Sequence, residues 1–397
     1  MRILVLGFTG YLGTHVVEGM RALPGALVLG GGRAPAAEYA IDLATVRTGE
    51  LARTLASAAP DTVINCAGAT GGDPVTLAEV NARGPAVLCA ALREVAPGAR
   101  LVHLGSAAEY GPGVPHVPVT ESAATRPTAP YGATKLAGTV AVTASGLDAV
   151  VLRVGNPVGP GAPPTGLPGR IAALLRAVGP DADAVLPCGD LSAHRDFVDV
   201  RDVARAVVLA ATAAGPLPPV LNIAGGHAVP VREVVRGLAA RAGFRGRIAE
   251  NAVGAGSGDT ARGGRRPAGT AGGVVGAAGC ARGGVVAAVV GSAHAGGAGG
   301  PAGSLRGLGS LRSADVSWQC SDVTAAEAAL GWRPAHTLDD ALTALWDSGE
   351  GAVRTDSRAG GVDRGRRAHA EVDADADSHG GSGGRTGAGR GRGDRTP

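Results

Sequence analysis

The chain has 397 residues, room for two ordinary domains or for one large α/β domain with an appendage. Apolar residues make up 45% of it and aromatics only 3%, while Gly (67) and Pro (26) approach the share that marks low complexity. A net charge of +3 gives no mandate for a polyanionic partner, and every basic residue except Lys135 is arginine, as GC-rich coding produces, so arginine clusters are weak nucleic-acid signals here.

Residues 1–5 are apolar except Arg2 and run straight into a glycine motif, so they read as a first strand and not as a leader peptide. Further short apolar runs at 27–29, 62–65, 101–104 and 149–154 alternate with amphipathic stretches such as 77–95. That alternation predicts βαβ units and a parallel sheet covered by helices on both faces. The regular texture ends near residue 250. Between 251 and 310 the chain is mostly Gly, Ala, Val and Arg without a usable period, a composition that cannot offset its ordering entropy. The break fits a genuine insertion and a pair of compensating frame shifts in GC-rich DNA equally. Order returns at 311–347, with helices expected at 325–330 and 338–346 around the turn Gly331-Trp332-Arg333-Pro334. From 350 to 397 the chain is rich in Gly, Arg, Asp and Ser and reads as a disordered tail. No run reaches about 18 apolar residues, so no membrane span is expected. The cysteines (Cys66, Cys89, Cys188, Cys280 and Cys320) form no CxxC pair. They read as thiols in a reducing, cytoplasmic compartment, with no metal site.

The chemistry begins at the first strand, which leads into Gly7-Phe8-Thr9-Gly10-Tyr11-Leu12-Gly13. This spacing gives a tight turn and lets backbone approach a pyrophosphate at a helix N-terminus, so Gly7, Thr9, Gly10, Tyr11, Leu12 and Gly13 are candidate cofactor contacts. The second strand ends at Gly30-Gly31-Gly32-Arg33, without the acidic residue that selects NAD. Arg33 can neutralise a 2′-phosphate, which favours NADPH while leaving NAD possible. Asp42 and Leu43 follow a third short strand, at the expected place of the adenine. Cys66, Ala67 and Gly68 follow a further strand end, as a loop beside the cofactor does. Ser106 closes the strand at 101–104, and Tyr131-Gly132-Ala133-Thr134-Lys135 opens a helix. Tyr131 and Lys135, at i and i+4, share one helical face. An ammonium beside a phenol favours the phenolate, and a serine hydroxyl can hold a carbonyl while the tyrosine moves a proton. The only lysine of the chain stands at this position, as expected where guanidinium cannot substitute.

With these motifs in place, the chain resembles the extended short-chain dehydrogenases/reductases of the NAD-dependent epimerase/dehydratase family. The resemblance rests on Gly7, Gly10, Gly13, Asp42-Leu43, Val80-Asn81, Ser106 with Glu109-Tyr110-Gly111, and Tyr131 with Lys135. Later matches are Arg153, Asn156, Gly159-Pro160, Arg195, Asp199, Asp202-Val203, Leu221-Asn222-Ile223 and Leu330-Gly331-Trp332-Arg333-Pro334. It implies an α/β fold: a Rossmann-type doubly wound parallel sheet with a smaller C-terminal α/β substrate-binding domain. The NADP-binding domain is then 1–155, with 195–225 returning to it. The substrate domain takes 156–194, 226–250 and 311–347, leaving 251–310 as a low-complexity insert and 350–397 as the tail. Catalytic roles fall to Ser106, Tyr131 and Lys135, and Asn81 joins the cofactor contacts. Asn156 would touch the sugar or its phosphate, unless it merely caps a turn. Arg195 would touch the diphosphate, unless it forms an ion pair with Asp199 or Asp202. Arg312 would reach the diphosphate from the other side, with Arg265-Arg266 as rivals.

Within the family the segment around Ser106 looks most like reductases of nucleotide-linked 4-keto-6-deoxyhexoses, as in deoxysugar and antibiotic biosynthesis. Sugar 4,6-dehydratases need an acidic pair directly after the serine or threonine, and Ala107 and Ala108 stand there. The expectation is therefore NADPH-dependent reduction of a C4 ketone on a dTDP- or GDP-sugar, by a cytoplasmic homodimer. Two alternatives are a 4-epimerase with tightly held NAD and a non-catalytic NADP-binding sensor or scaffold. Nucleic-acid binding by the Arg/Gly segments is disfavoured, because the tail carries Asp363, Glu371, Asp373, Asp375 and Asp377 and no aromatics.

Overall fold

A computed structural model describes residues 1–250 and 316–359, with side chains through residue 349. The first half runs β1 (Arg2–Leu6), α1 (Tyr11–Arg21), β2 (Leu27–Gly32), β3 (Tyr39–Ala40), α2 (Thr48–Ala58) and β4 (Thr62–Asn65). Next come α3 (Pro74–Ala78), α4 (Gly84–Val95), β5 (Arg100–Ser106), α5 (Pro130–Thr143), β6 (Ala149–Val154) and β7 (Asn156–Val158). The remainder is α6 (Leu167–Val178), β8 (Val185–Cys188), β9 (His194–Asp199), α7 (Val200–Thr212), β10 (Val220–Ile223), β11 (Ala228–Pro230), α8 (Val231–Arg241) and β12 (Arg247–Glu250). After the undescribed stretch come α9 (Thr324–Leu330) and α10 (Leu338–Ala359).

Seven strands form one parallel sheet in the order β10-β6-β5-β4-β1-β2-β3. Its strands are apolar along nearly their whole length (β1 and β4 are buried almost throughout), as expected of strands covered on both faces. On one face Val16, Val17 and Met20 of α1 and Val203, Ala206 and Val207 of α7 pack with Ile3, Val5 and Leu152. On the other, Leu51 and Leu55 of α2 and Leu88 and Leu92 of α4 pack with Leu4, Leu6 and Val63. This is the doubly wound architecture expected from the alternation of runs. A third core gathers Ile171 and Leu175 of α6, Val234 and Leu238 of α8, and Leu342 and Leu345 of α10 around β7, β8 and β9. Two small sheets border it, β11-β9-β7 and the parallel pair β12-β8.

The turn after α9 is fixed by long-range bonds. Trp332 is fully buried, and its indole N–H donates to the carbonyl of Asp202 at 2.9 Å. The Asp202 carboxylate accepts the N–H groups of Ala335 and His336, each at 2.9 Å.

Residues Met1–Ala352 form one compact unit, and Val353–Pro397 form a second, described only along its helical stretch to Ala359. Residues 350–359, expected as the start of a disordered tail, are helical as the end of α10. The expected insert at 251–310 and the tail beyond 359 lie outside the described residues, as do Cys280 and the rival pair Arg265-Arg266. Among the described residues no helix is long and apolar enough to cross a membrane, and no cluster of His, Cys, Asp or Glu could hold a metal ion.

Candidate active site

The turn between β1 and α1 is built for close approach. Gly7 has φ +75°, and a Cβ there would stand 2.7 Å from the N of Ala67. A Cβ on Gly13 would collide with the carbonyl of Gly7, so that position lets α1 seat directly on the turn. Gly10 is the N-cap of α1 with no side-chain cap, which leaves the first N–H groups of an 11-residue helix for an external acceptor. Behind the turn, Asn65 Oδ1 accepts the N–H of Ala67 at 3.1 Å. Asn81, 1% exposed, grips Ala69 through both its N–H (2.9 Å) and its carbonyl (2.8 Å). A π-helical turn at Glu79–Arg83 carries Asn81, a distortion that often marks functional positions. These observations fit a bound dinucleotide: a backbone cradle that side chains would fill, facing an uncapped helix start.

Ser106 ends β5 and is the N-cap of a short 3-10 turn at Ala107–Glu109. Its Oγ accepts the N–H of Ala108 at 3.2 Å, which leaves the hydroxyl hydrogen to donate elsewhere. A Cβ on Gly132 would collide with the carbonyl of Ala108, so α5 lies directly against this turn and brings Tyr131 to it. One helical turn on, Lys135 is 5% exposed and donates from Nζ to the carbonyl of Leu104. Burial pulls the Lys135 ammonium down to about 8, against the pull of Glu109 and Cys66. Burial likewise pushes the neighbouring Cys66 thiol up to about 12, so it stays protonated. Burial also holds the His103 imidazole well below its usual range, beside Lys135, and its Nδ1 lies 3.1 Å from Asn65 Nδ2.

Ser106, Tyr131 and Lys135 line one cavity of about 550 Å³. Gly10, Tyr11, Leu12, Cys66, Ala67 and Gly68 line it as well. Asn156 at the start of β7 and Arg195 of β9 also face it, with Phe197, Gln319 and Gly166–Gly169 at the start of α6. Arg195 is 8% exposed and donates to the carbonyl of His194 at 2.9 Å, and burial lowers its guanidinium pKa. The two suggested ion-pair partners are engaged elsewhere, Asp199 with Arg201 at 2.6 Å and Asp202 with Arg205 at 3.0 Å.

Other sequence-designated residues stand back from the cavity. Gly7, Gly13 and Asn81 shape its wall from behind. Thr9 is exposed on the turn, and Arg33 is exposed just beyond β2. Asp42 caps its own turn by accepting the N–H of Ala44 at 3.1 Å, while Leu43 is buried in the core beside α2 and α4. Arg312 lies outside the described residues.

Three residues at the site were given no role in the sequence reading. Glu109 is fully buried, accepts the N–H of Ser106 at 2.8 Å and pairs with Arg153 at 2.8 Å. Its signal was present in Ser106-Ala107-Ala108-Glu109, a capping-box spacing. Glu38 accepts the N–H of Gly30 at 2.7 Å beside the Phe8 ring, which brings a carboxylate to β2 after all. Gln319 bonds Asn156 across 163 positions, a pairing without a local signal.

The model of the NAD dependent epimerase/dehydratase family matches residues 3–224. The chain is 34% identical over 360 residues to a dTDP-6-deoxy-L-talose 4-dehydrogenase (NAD(P)(+)) of Kitasatospora kifunensis, covering 87% of this chain and 94% of that one. Among solved structures it is similar to MoeE5 in complex with UDP-glucuronic acid and NAD, with TM-score 0.65 and 24% identity over 89% of this chain and 100% of that one. It is also similar to RMD from Pseudomonas aeruginosa complexed with NADPH, with TM-score 0.64 and 21% identity over the same shares. At those identities the two structures speak for the fold. The family model and the Kitasatospora relative go further: the chain belongs to the NAD dependent epimerase/dehydratase family, the extended short-chain dehydrogenases/reductases.

Proposed function

We propose that this protein reduces the C4 ketone of a nucleotide-linked 4-keto-6-deoxyhexose to an alcohol, with NADPH as the favoured reductant. The carrying observation is the single cavity that Ser106, Tyr131 and Lys135 share with Asn156 and Arg195. The name of the Kitasatospora relative, a 4-dehydrogenase of a dTDP-linked 6-deoxysugar, supports the position of the chemistry. In this reading the cofactor lies on residues 1–155, with 195–225 returning to them, and the sugar on 156–194, 226–250 and 311–347.

The nicotinamide cofactor, when bound along Gly10–Leu12 and Cys66–Gly68, supplies the hydride. The protein does the rest. Ser106 donates its hydroxyl hydrogen to the C4 oxygen and polarises the carbonyl. Tyr131 then gives its phenolic proton to the same oxygen as negative charge develops there. Lys135, on the same face of α5, stabilises the tyrosinate left behind. Elimination of water lacks the acid directly after Ser106 that would serve it. Ala107 and Ala108 line the cavity as methyl groups, and Glu109 is turned away onto Ser106 N–H and Arg153.

One observation favours a second reading, a 4-epimerase that retains NAD: Glu38 places negative charge at β2, where a 2′-phosphate would be disfavoured. The test is NADPH oxidation at 340 nm with dTDP- or GDP-4-keto-6-deoxyhexose generated in situ by a 4,6-dehydratase. Net consumption by the wild type, absent in Tyr131→Phe, supports the reductase. No consumption, together with inversion at C4 of a separately supplied 4-hydroxy nucleotide sugar without net change in cofactor, supports the epimerase.

A further inference from the structure

Two loops at the carboxyl ends of the parallel strands are tied to one turn of helix, the π-helical Glu79–Arg83. The loop 66–69, after β4, is gripped by Asn81 through Ala69. The turn 42–46, after β3, is gripped by Arg83. Ile41 donates its N–H to Gly32 at 3.0 Å, so the chain leaving β3 stays beside β2. Asp42 thus arrives at the end of the sheet where doubly wound folds hold their ligands.

Within the turn, Thr45 and Val46 donate their N–H groups to the carbonyl of Asp42 at 3.1 and 2.9 Å, and Ala44 donates to its carboxylate at 3.1 Å. The carbonyls of Leu43, Ala44 and Val46 all go to the Arg83 guanidinium. Nη2 donates to Val46 at 2.8 Å, and Nη1 donates to Ala44 at 3.0 Å and to Leu43 at 3.4 Å. A planar fork of donors suits three carbonyls at once, where a point-like ammonium does not. Gly84, next in sequence, lies against the same turn, since a Cβ there would stand 3.0 Å from that of Leu43.

Arg83 is exposed, and bonds so placed add little to global stability. The Leu43 side chain is anchored in the core by α2 and α4 without it. What Arg83 governs is the shape of the turn. Asp42 keeps one carboxylate oxygen, and Leu43 its main-chain N–H, without a partner among the described residues. An acceptor beside a donor complements the edge of adenine, which offers a 6-amino hydrogen beside the N1 lone pair.

We propose that Arg83 is a positioning residue for the adenosine half of the nicotinamide cofactor. It touches no ligand and holds 42–46 in the shape that presents Asp42 and Leu43 to the adenine. The proposal rests on the placement of the adenine at those two residues and is independent of the sugar.

The test is fluorescence titration of the wild type, Arg83→Ala and Arg83→Lys with NADH, NADPH and their hypoxanthine counterparts. Hypoxanthine reverses the edge, with a carbonyl at C6 and a hydrogen on N1, so a site that reads adenine rejects it. The quantity read is the ratio of dissociation constants, hypoxanthine form over adenine form. Arg83→Ala is expected to raise Kd for NADH and NADPH alike by about tenfold and to bring that ratio down towards 1, with the Tm of the cofactor-free protein unchanged. Arg83→Lys keeps the charge and the stem but loses the fork. Its ratio is expected to fall between the other two, and it covers the case in which the alanine variant fails to fold. An unchanged ratio in the folded variants overturns the proposal, because a merely structural arginine does not couple to one group on the purine. A loss for NADPH alone also overturns it and makes Arg83 a contact of the 2′-phosphate. A wild-type ratio near 1 overturns instead the placement of the adenine on which the proposal rests.

Discussion

Glu109 accepts the backbone N–H of Ser106 at 2.8 Å with one carboxylate oxygen, while its other oxygen holds the Arg153 guanidinium at 2.8 Å. Ser106, placed against the substrate carbonyl in the mechanism we propose, is thus positioned through a fully buried acid three residues on, itself tied to β6. Arg153 in turn lies 4.6 Å over the Tyr110 ring, whose hydroxyl donates to Asn222 of β10 at 2.7 Å. The Ser106 turn is braced across three adjacent strands.

Glu109→Ala therefore strands the Arg153 charge in the core. Loss of one partner of a buried pair costs about 3–5 kcal/mol, far more than removing a surface charge. Urea denaturation of the wild type and the variant measures it. A change below about 1 kcal/mol would mean that Arg153 finds water or another acceptor.

Tyr131→Phe removes the proton donor and leaves the shape of α5 intact. Turnover is expected to fall by at least about 100-fold while cofactor binding persists. Turnover assays beside cofactor titration by fluorescence check both halves, and near-normal turnover removes Tyr131 from the mechanism.

Arg33 is exposed just beyond β2, and Glu38 bonds Gly30 within it. Arg33→Ala should raise the KM for NADPH about tenfold and leave NADH nearly untouched, as loss of one charge-assisted bond does. Glu38→Gln should shift preference the opposite way, lowering the KM for NADPH. Parallel KM measurements with both cofactors decide it, and unchanged ratios would place the 2′ position elsewhere.

Asp196 is fully enclosed, and burial pushes its carboxyl up to about 7 despite the N–H groups of Ser321 and Gly225. A raised value means that the folded chain binds this proton more tightly than the unfolded chain, where the ordinary value is about 3.9. The stability it contributes is therefore present at low pH and is lost as pH rises from about 4 to about 7. Asp196→Asn is expected to flatten the fall of Tm between pH 5 and pH 7.5, at a lower overall Tm. Thermal melts across that range check it, and equal slopes would sink the assignment.

Local patterns made much of this protein legible. The apolar runs at 27–29, 62–65 and 149–154 all lie in strands of the parallel sheet; the last two are buried along nearly their whole length, as a strand covered on both faces requires. The glycine turn, Ser106 and the Tyr131/Lys135 pair were readable because each rests on spacing within one strand end or one helical turn. Asp42 and Leu43 follow the short third strand as read, and there the fold gives them a turn bond and a place in the core, which no local spacing announced.

What tertiary structure alone decided is every pairing across distant positions. Glu38 reaches Gly30 because β3 runs beside β2, whereas the end of the second strand itself carries no acid. Gln319 reaches Asn156 because the last segment bonds to β9, and only then does a carbonyl of Asp196 determine which way two amides point. Sequence by itself determined which residues can do chemistry, through residue type and short-range period. The fold decided which of them meet, because hydrogen bonds between elements depend on strand order and register, which no local pattern encodes.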